Sequence, residues 1–529
     1  MTSMNPEWLE DYAPSVFARI DGYLLDAYAI ALEGWRRGLE LKWYSKDAPA
    51  FKEMKTWYVD KPGKLYSLSD GEHTRYFFRT RSDKVSNQAV AIAADKDRTK
   101  EYLAKHQLPF PKGARFEPDC SDDEIIRYAK ELNFPLVIKP TDGSFGRGIT
   151  VNITDINDFR QSLIRTRHKE GYQDILVEEH IKGDDYRLYV VGDQVVGAIR
   201  RTPAYVIGDG QSTIEELIQK KNQVRKTNPR LANCLIKIDD ELIAFIKKDQ
   251  RSLSTVPEKD DYIFLNAKSN ISIGGDAEDK LDCLTDKVKA IAVKAVKAVP
   301  GLYHCGVDLL LDQETDQAVV IELNPTAQIG SILFPGQGKA RDVPAAIIDY
   351  YFPKSKVAQE FKSSFYLPLD DILQPLFNQA TQAVTVKPAP LGELYQEHYY
   401  LRGKVNTFKY QRRLKNEAVQ LQMINGYIKK KGYREAELLI ATNDQEALTR
   451  FNHFITNLNK KTKIKKVDQM NPHEPIQLGF HTEKESNLKQ AYQKMKRKHF
   501  ILDKLLTLSD KLYIALRSSF MVKLYRRRK

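Results

Sequence analysis

The chain has 529 residues, 42% of them hydrophobic and 29% charged, enough for several domains with sizeable cores. Its net charge of +13 is lopsided: Lys489 to Lys529 holds 13 Lys/Arg against Asp503 and Asp510, so the body is near neutral and the excess marks a tail, not a nucleic-acid reader. Four scattered cysteines with no CxxC argue against a disulfide scaffold or a zinc site; the acidic start (Glu7, Glu10, Asp11) argues against a signal peptide, and the lack of any run of about 18 apolar residues against a membrane span, so a cytoplasmic chain is expected.

Residues 1–88 predict a small α/β unit, with a helix over 24–39 and strands over 39–43, 65–68 and 75–79. Arg79 and Arg81 read as solvated charges, the alternative being contact with a substrate carboxylate. A helix starts at Asp95, and from spacing alone its Lys96 is an ordinary surface lysine. Another helix is expected over 120–131. Residues 134–140 then form a strand carrying Lys139, followed by a glycine turn and a second strand over 149–151. Gly143, Ser144, Gly146 and Gly148 in that turn allow close approach of the backbone to an anion, and successive N–H groups make a nest for phosphate oxygens. Lys139 supplies a point charge beside it. The turn is neither a Walker A loop nor a dinucleotide fingerprint, because no helix opens after it. An ordinary glycine hairpin is the alternative.

Residues 175–191 read as strand, polar linker, strand. Acids beside such a linker, Glu178 and Asp185, can accept from an adenine amine and from ribose hydroxyls, while the linker backbone at Ile181 pairs with the purine edge. Helices follow over 214–221 and 285–299, and Gly274-Gly275 reads as a mobile loop able to close over phosphates. Residues 304–311 and 319–325 are strands joined by a polar turn, 312–317. Side chains alternate along a strand, so Glu322 and Asn324 share one face and a hairpin brings Asp308 beside them. Two carboxylates and an amide oxygen suit a hard cation, Mg²⁺ or Mn²⁺, that leaves positions for phosphate oxygens. The alternative is a pair of buried strands whose polar groups are satisfied internally.

Residues 355–392 read as a linker ending in proline-spaced sequence. Residues 393–482 follow the order βαββαβ, the ferredoxin-like pattern. The tail, 483–529, predicts an amphipathic helix with Ile501, Leu505, Leu508, Leu512 and Leu516 on one face and basic residues elsewhere. It suits either an anionic membrane surface or docking on the body or a partner.

Taken together, these pieces resemble the ATP-grasp superfamily over residues 90–355, and within it the branch of cyanophycin synthetase and the bifunctional glutathione synthetases. The shared stretches are the Lys139 strand and its loop, Val177 to Gly183, Asp185-Tyr186-Arg187, Arg201-Thr202-Pro203-Ala204, Gly208-Asp209-Gly210, Gly274-Gly275-Asp276, Asp308, Glu322-x-Asn324 and Gly338-Lys339-Ala340-Arg341. The resemblance implies an α/β (α+β) chain with an ATP-grasp domain over 89–354, preceded by a substrate domain over 1–88. It implies ATP and Mg²⁺ as cofactors, with Lys96 as a second phosphate lysine. It also implies a carboxylate–amine ligase that works through an acyl phosphate. Arg187 and Arg201 become candidates for the γ-phosphate or the acyl oxygen, the alternative being a structural ion pair. Amino acids or peptides are the implied substrates, and a homo-oligomer is expected. A kinase that stops at a phosphorylated product, or a membrane-docked ATP-binding assembly protein, are the competing readings. The sequence departs from the family after Asn324, where Pro325-Thr326-Ala327-Gln328 follows. Residues 393–482 also resemble acylphosphatase, with Thr407 for its loop glycine, Gln411 at the place of its catalytic arginine (Arg412 if the match slips by one residue) and Lys430 at that of its asparagine. That implies an inactive relic.

Overall fold

The computed structural model describes residues 6–482 apart from 19, 21, 142–147, 357–361, 423, 459–461 and 467–474. The basic tail and the glycines Gly143 and Gly146, with Ser144, therefore lie outside the described residues. No helix among the described residues is long and apolar enough to cross a membrane. The chain divides into two compact units, Met1–Leu391 and Gly392–Lys529.

Three sheets organise the first unit. The N-terminal sheet runs in the order Ala383–Thr385, Glu40–Tyr44, Leu65–Ser69, Thr74–Phe78, Arg81–Ser82. The helix Gly22–Arg36 packs on it, and Trp35, Trp43, Tyr66 and Phe77 are fully buried. Its first strand comes from the segment read as a linker, which also contributes the helix Leu369–Phe377. That segment is therefore part of the packed unit: its short apolar runs complete a sheet edge and leave little free connector.

The next sheet has four antiparallel strands, Gly113–Phe116, Ile175–Glu179, Leu136–Pro140 and Thr150–Ile153, in that order. Helices Asp122–Glu131 and Ile156–Ile164 cover it through Ile125, Ile138, Phe159 and Val177. Ser121 and Glu124 form a capping box that starts the first helix, and Asp155 caps the second. The third sheet runs Asp276–Asp279, Gln194–Thr202, Asp184–Val191, His304–Asp312, Gln317–Asn324, all antiparallel. Helices Asn87–Ala94, Lys96–Lys105 and Asp286–Ala298 close its apolar face. The two strands read as one strand–linker–strand element thus belong to different sheets, so linker 180–183 bridges them.

A smaller lobe joins the strands Tyr205–Ile207 and Tyr262–Phe264 to the helices Ile214–Thr227 and Asp240–Lys248. Gly274 and Gly275 stand just before the strand Asp276–Asp279 and are not the open loop expected. Both are buried, and a Cβ on Gly275 would lie 2.7 Å from the Thr202 carbonyl oxygen. Glycine is required there by close backbone approach.

In the second unit the strand order is Lys463–Lys466, Tyr395–Arg402, Glu435–Thr442, Asn425–Gly432, Phe480–Thr482. Helices Phe408–Leu421 and Gln445–Leu458 pack on it around Leu401, Leu414, Leu438 and Phe451.

Candidate active site

A cavity of about 2070 Å³ is lined by residues of both central sheets, the linker between them and the small lobe. Drug-sized pockets span roughly 300–1,000 Å³, so this one has room for a nucleotide and a further substrate together.

Residues of the four-stranded sheet put a charge cluster on the cavity wall. Val137 stands opposite Glu178 across the antiparallel pair, so Lys139, two positions on, reaches Glu178 on the diagonal of the same face. The two form an ion pair. Lys100 approaches the same carboxylate at 2.6 Å. It lies one helical turn after Lys96 on Lys96–Lys105, on the same helix face. Lys96 itself donates to the Thr141 carbonyl at 3.0 Å, at the mouth of the glycine turn. Burial raises the Glu178 carboxyl, but Lys139 and Lys100 outweigh it and hold the group below the usual carboxylate range. Burial also pulls Lys139 below the usual lysine range, only partly countered by Glu178. Lys139 is thus an ammonium paired with Glu178 on the cavity wall.

The third sheet aligns four strands so that one face carries the remaining candidates. Asp308 is opposite Glu322 on one side and opposite Arg187 on the other, and Arg201 is opposite Asp185. Asn324 pairs with Gly306, two positions along, and so joins the same face. Arg187 donates to both Asp308 oxygens at 2.7 Å each, and Arg201 donates to Asp308 at 3.1 Å and to Asp185 at 2.5 Å. Burial raises the Asp308 carboxyl, yet the two guanidinium groups hold it below its ordinary value. Glu322 moves the other way, pushed up by burial and then by Asp308. Asp185 is raised as well, by burial first, with Arg201 the main offset. The open question on Arg187 and Arg201 therefore has both halves present: they form an ion-pair network, and they line the cavity.

Among the described residues no cluster of three or more His, Cys, Asp or Glu side chains could hold a metal. The hairpin instead presents two carboxylates and one amide. Glu322 makes no hydrogen bond or ion pair among the described residues and is repelled by Asp308. A cation would relieve both, and the all-oxygen donor set fits Mg²⁺ or Mn²⁺ with positions left for phosphate and water.

Of the other expected site residues, Ile181 lines the cavity, and Gly148 has a positive φ of 69°. Arg79 and Arg81 overturn the solvated reading. Arg79 is buried and paired with Asp26 at 3.1 Å. Arg81 is buried and donates to the carbonyls of Lys55 and Val85 and to Asn87, which leaves its guanidinium pulled down to about 10 by burial. Composition could not reveal this, because Asp26 and Lys55 are distant in sequence, and the nearer Val85 and Asn87 meet Arg81 only through the local fold.

The sequence reading also missed groups that line the cavity. Lys221 and Arg225 share Asp276, and the Lys221 ammonium sits 3.6 Å over the Tyr205 ring. Tyr262 and Phe264 expose about half their surface, 55% and 47%, as an aromatic wall. Lys100, which pairs with Glu178 without lining the cavity, was findable from its i, i+4 relation to Lys96, as were Lys221 and Arg225 from theirs, whereas the aromatic wall carried no local signal.

Residues 93–211 match the family model described as "RimK-like ATP-grasp domain". Among curated proteins it is 31% identical over 312 residues to cyanophycin synthetase of Geminocystis herdmanii, covering 56% of this chain and 34% of that one. It is 33% identical over 304 residues to the glutathione biosynthesis bifunctional protein GshAB of Clostridium perfringens, covering 56% of this chain and 38% of that one. The chain thus spans just over a third of the length of these relatives. A solved bifunctional glutathione synthetase from Pasteurella multocida aligns at 28% identity and a TM-score of 0.45, over 55% of this chain and 41% of that one.

Proposed function

We propose that this chain is an ATP-dependent ligase that joins a carboxylate to an amine through an acyl phosphate. The observation that carries the reading is the shared face of Asp308, Glu322 and Asn324, in one cavity with Lys96 and Lys139. On this reading Lys96 and Lys139 hold the triphosphate, with N–H groups of the glycine turn. Glu178 and Ile181 serve the adenine, and Asp185 the ribose. Asp308, Glu322 and Asn324 hold Mg²⁺, which when bound neutralises charge on the transferring phosphoryl group. A substrate carboxylate oxygen attacks the γ-phosphorus and ADP leaves. An amine nitrogen then attacks the acyl carbon, phosphate departs, and the amine loses a proton. Arg187 and Arg201 stabilise the negative charge that gathers in both steps. The match to the two relatives supports amino acids or peptides as the substrates.

We also propose an inactive acylphosphatase-like domain over 393–482. In support, Gln411 is buried within its helix, and Arg412 lies 5.5 Å over the Phe408 ring.

The test is ADP release from ATP and Mg²⁺ with pools of amino acids and dipeptides, using Glu322→Ala as control. A requirement for two partners, lost in the variant, supports the ligase. Release with one partner means a kinase, and none with ATP bound means a binding protein.

A further inference from the structure

The cavity contains a guanidinium that the chemistry above does not use. Arg230 is only 7% exposed and lines the cavity. Its neighbours have carboxylate partners: Arg79 has Asp26 at 3.1 Å, and Arg225 has Asp276 at 2.5 Å. Arg230 has none among the described residues. Its Nη1 meets Cys234 Sγ at 2.7 Å, its Nη2 donates to Gln328 Oε1 at 3.0 Å, and its buried Nε finds no acceptor. Asp26 is within electrostatic reach, but its oxygens accept from Arg79 and from the Ile329 N–H.

A buried cation without a counter-charge is costly, and yet the fold holds this one in place. The Asn228 side chain accepts from the Arg230 backbone N–H at 2.9 Å. Position 330 is glycine, where a Cβ would lie 2.8 Å from Arg230 Cδ. Gln328 comes four residues after Asn324, in the stretch where this chain departs from its resemblance.

We propose that Arg230, with Gln328, is a subsite for a non-reacting carboxylate of the substrate, such as the main-chain carboxylate of an amino acid or peptide. The proposal rests on the ligase reading, which sends the reacting carboxylate to the metal hairpin. The planar guanidinium suits a carboxylate geometrically, and the Gln328 amide nitrogen, which has no acceptor among the described residues, supplies a second donor. A phosphate is the poorer occupant, because the lysines Lys96 and Lys139 already provide for the triphosphate.

The experiment is thermal unfolding of the full chain with Mg²⁺ and ADP, in the presence of dipeptides, each compared with its C-terminal amide. At least one free acid raises Tm by about 2 °C or more over its amide. Arg230→Gln abolishes the difference and Arg230→Lys restores part of it. In ADP-release assays with that dipeptide, Arg230→Gln raises KM about 10- to 100-fold with little change in kcat. Gln328→Glu places a carboxylate beside Arg230 from within, so it raises Tm without ligand and removes the preference for the acid. Should Arg230→Gln not fold, Gln328→Glu decides alone. The subsite is overturned if acids and amides act alike in the native chain, if the preference survives Arg230→Gln, or if Gln328→Glu lowers Tm. A clear acid preference with no ADP release under any pool sinks the ligase reading and leaves the subsite standing.

Discussion

Replacing Arg187 by Met tests whether Asp308 depends on its ion pair. In the native chain Asp308 is 6% exposed and receives both Arg187 bonds at 2.7 Å, with Arg201 only a third donor at 3.1 Å. Met fills similar space but leaves a buried carboxylate facing Glu322 with one weaker partner. Breaking a buried pair by removing one member costs about 3–5 kcal/mol. Arg201 and cavity water recover part of that, so the expected loss is about 2–4 kcal/mol. The assay is urea unfolding followed by tryptophan fluorescence. All four tryptophans, Trp8, Trp35, Trp43 and Trp57, lie in the first unit, so the signal does not mix the two units. With a slope near 3 kcal/mol per molar urea, the midpoint falls by about 1 M. Adding Asp308→Asn to Arg187→Met removes the stranded charge and restores most of the loss. The acid dependence moves too. The Asp308 carboxyl is lowered in the folded state, so its pair stabilises above the unfolded pKa and is lost as pH falls through the folded one. In Arg187→Met that acid-side loss disappears. A midpoint unchanged by Arg187→Met, or a double variant no better than the single, would refute the reasoning.

On the ligase reading, Glu322→Gln should keep the fold and lower Mg²⁺-dependent ADP release at least about 100-fold, because one of the two carboxylates proposed to hold the metal is gone. Since Glu322 is raised above its ordinary value when no cation is bound, protons should compete with the metal there, so the Mg²⁺ concentration needed for half-maximal rate should rise as pH falls; a Mg²⁺ requirement independent of pH would contradict the site. Asp342, pushed up to about 6 by burial and by Glu33, caps its helix through the Ala345 N–H, a job asparagine does equally well. A raised acid destabilises the fold once ionised, so Asp342→Asn should add up to about 3 kcal/mol at pH 7–8 and nothing below about pH 4, read from unfolding midpoints across pH. The membrane-surface alternative for the tail predicts that the full chain, and not a chain ending at residue 482, co-sediments with anionic vesicles at low salt. Equal sedimentation of both would dispose of it.

Local pattern determined a good deal of this protein. The alternation of Glu322 and Asn324, with an acid on the preceding strand, was enough to put three oxygen donors on one face, because strand geometry is set by the backbone alone. The strand before the glycine turn and the helix opening at Asp95 were legible for the same reason, since their signals lie within a few residues. The fate of charged side chains was decided only by tertiary structure. Arg79 and Arg81 looked like solvent-facing residues until Asp26 and distant carbonyls were packed against them. Glu178 reaches Lys139 only through the neighbouring strand, and Gln328 reaches Arg230 only because the segment after Asn324 folds back beside it. Whether a charge is paired, stranded or solvated depends on groups tens of residues away, 53 from Arg79 to Asp26 and 98 from Arg230 to Gln328, and no period in the sequence carries that information.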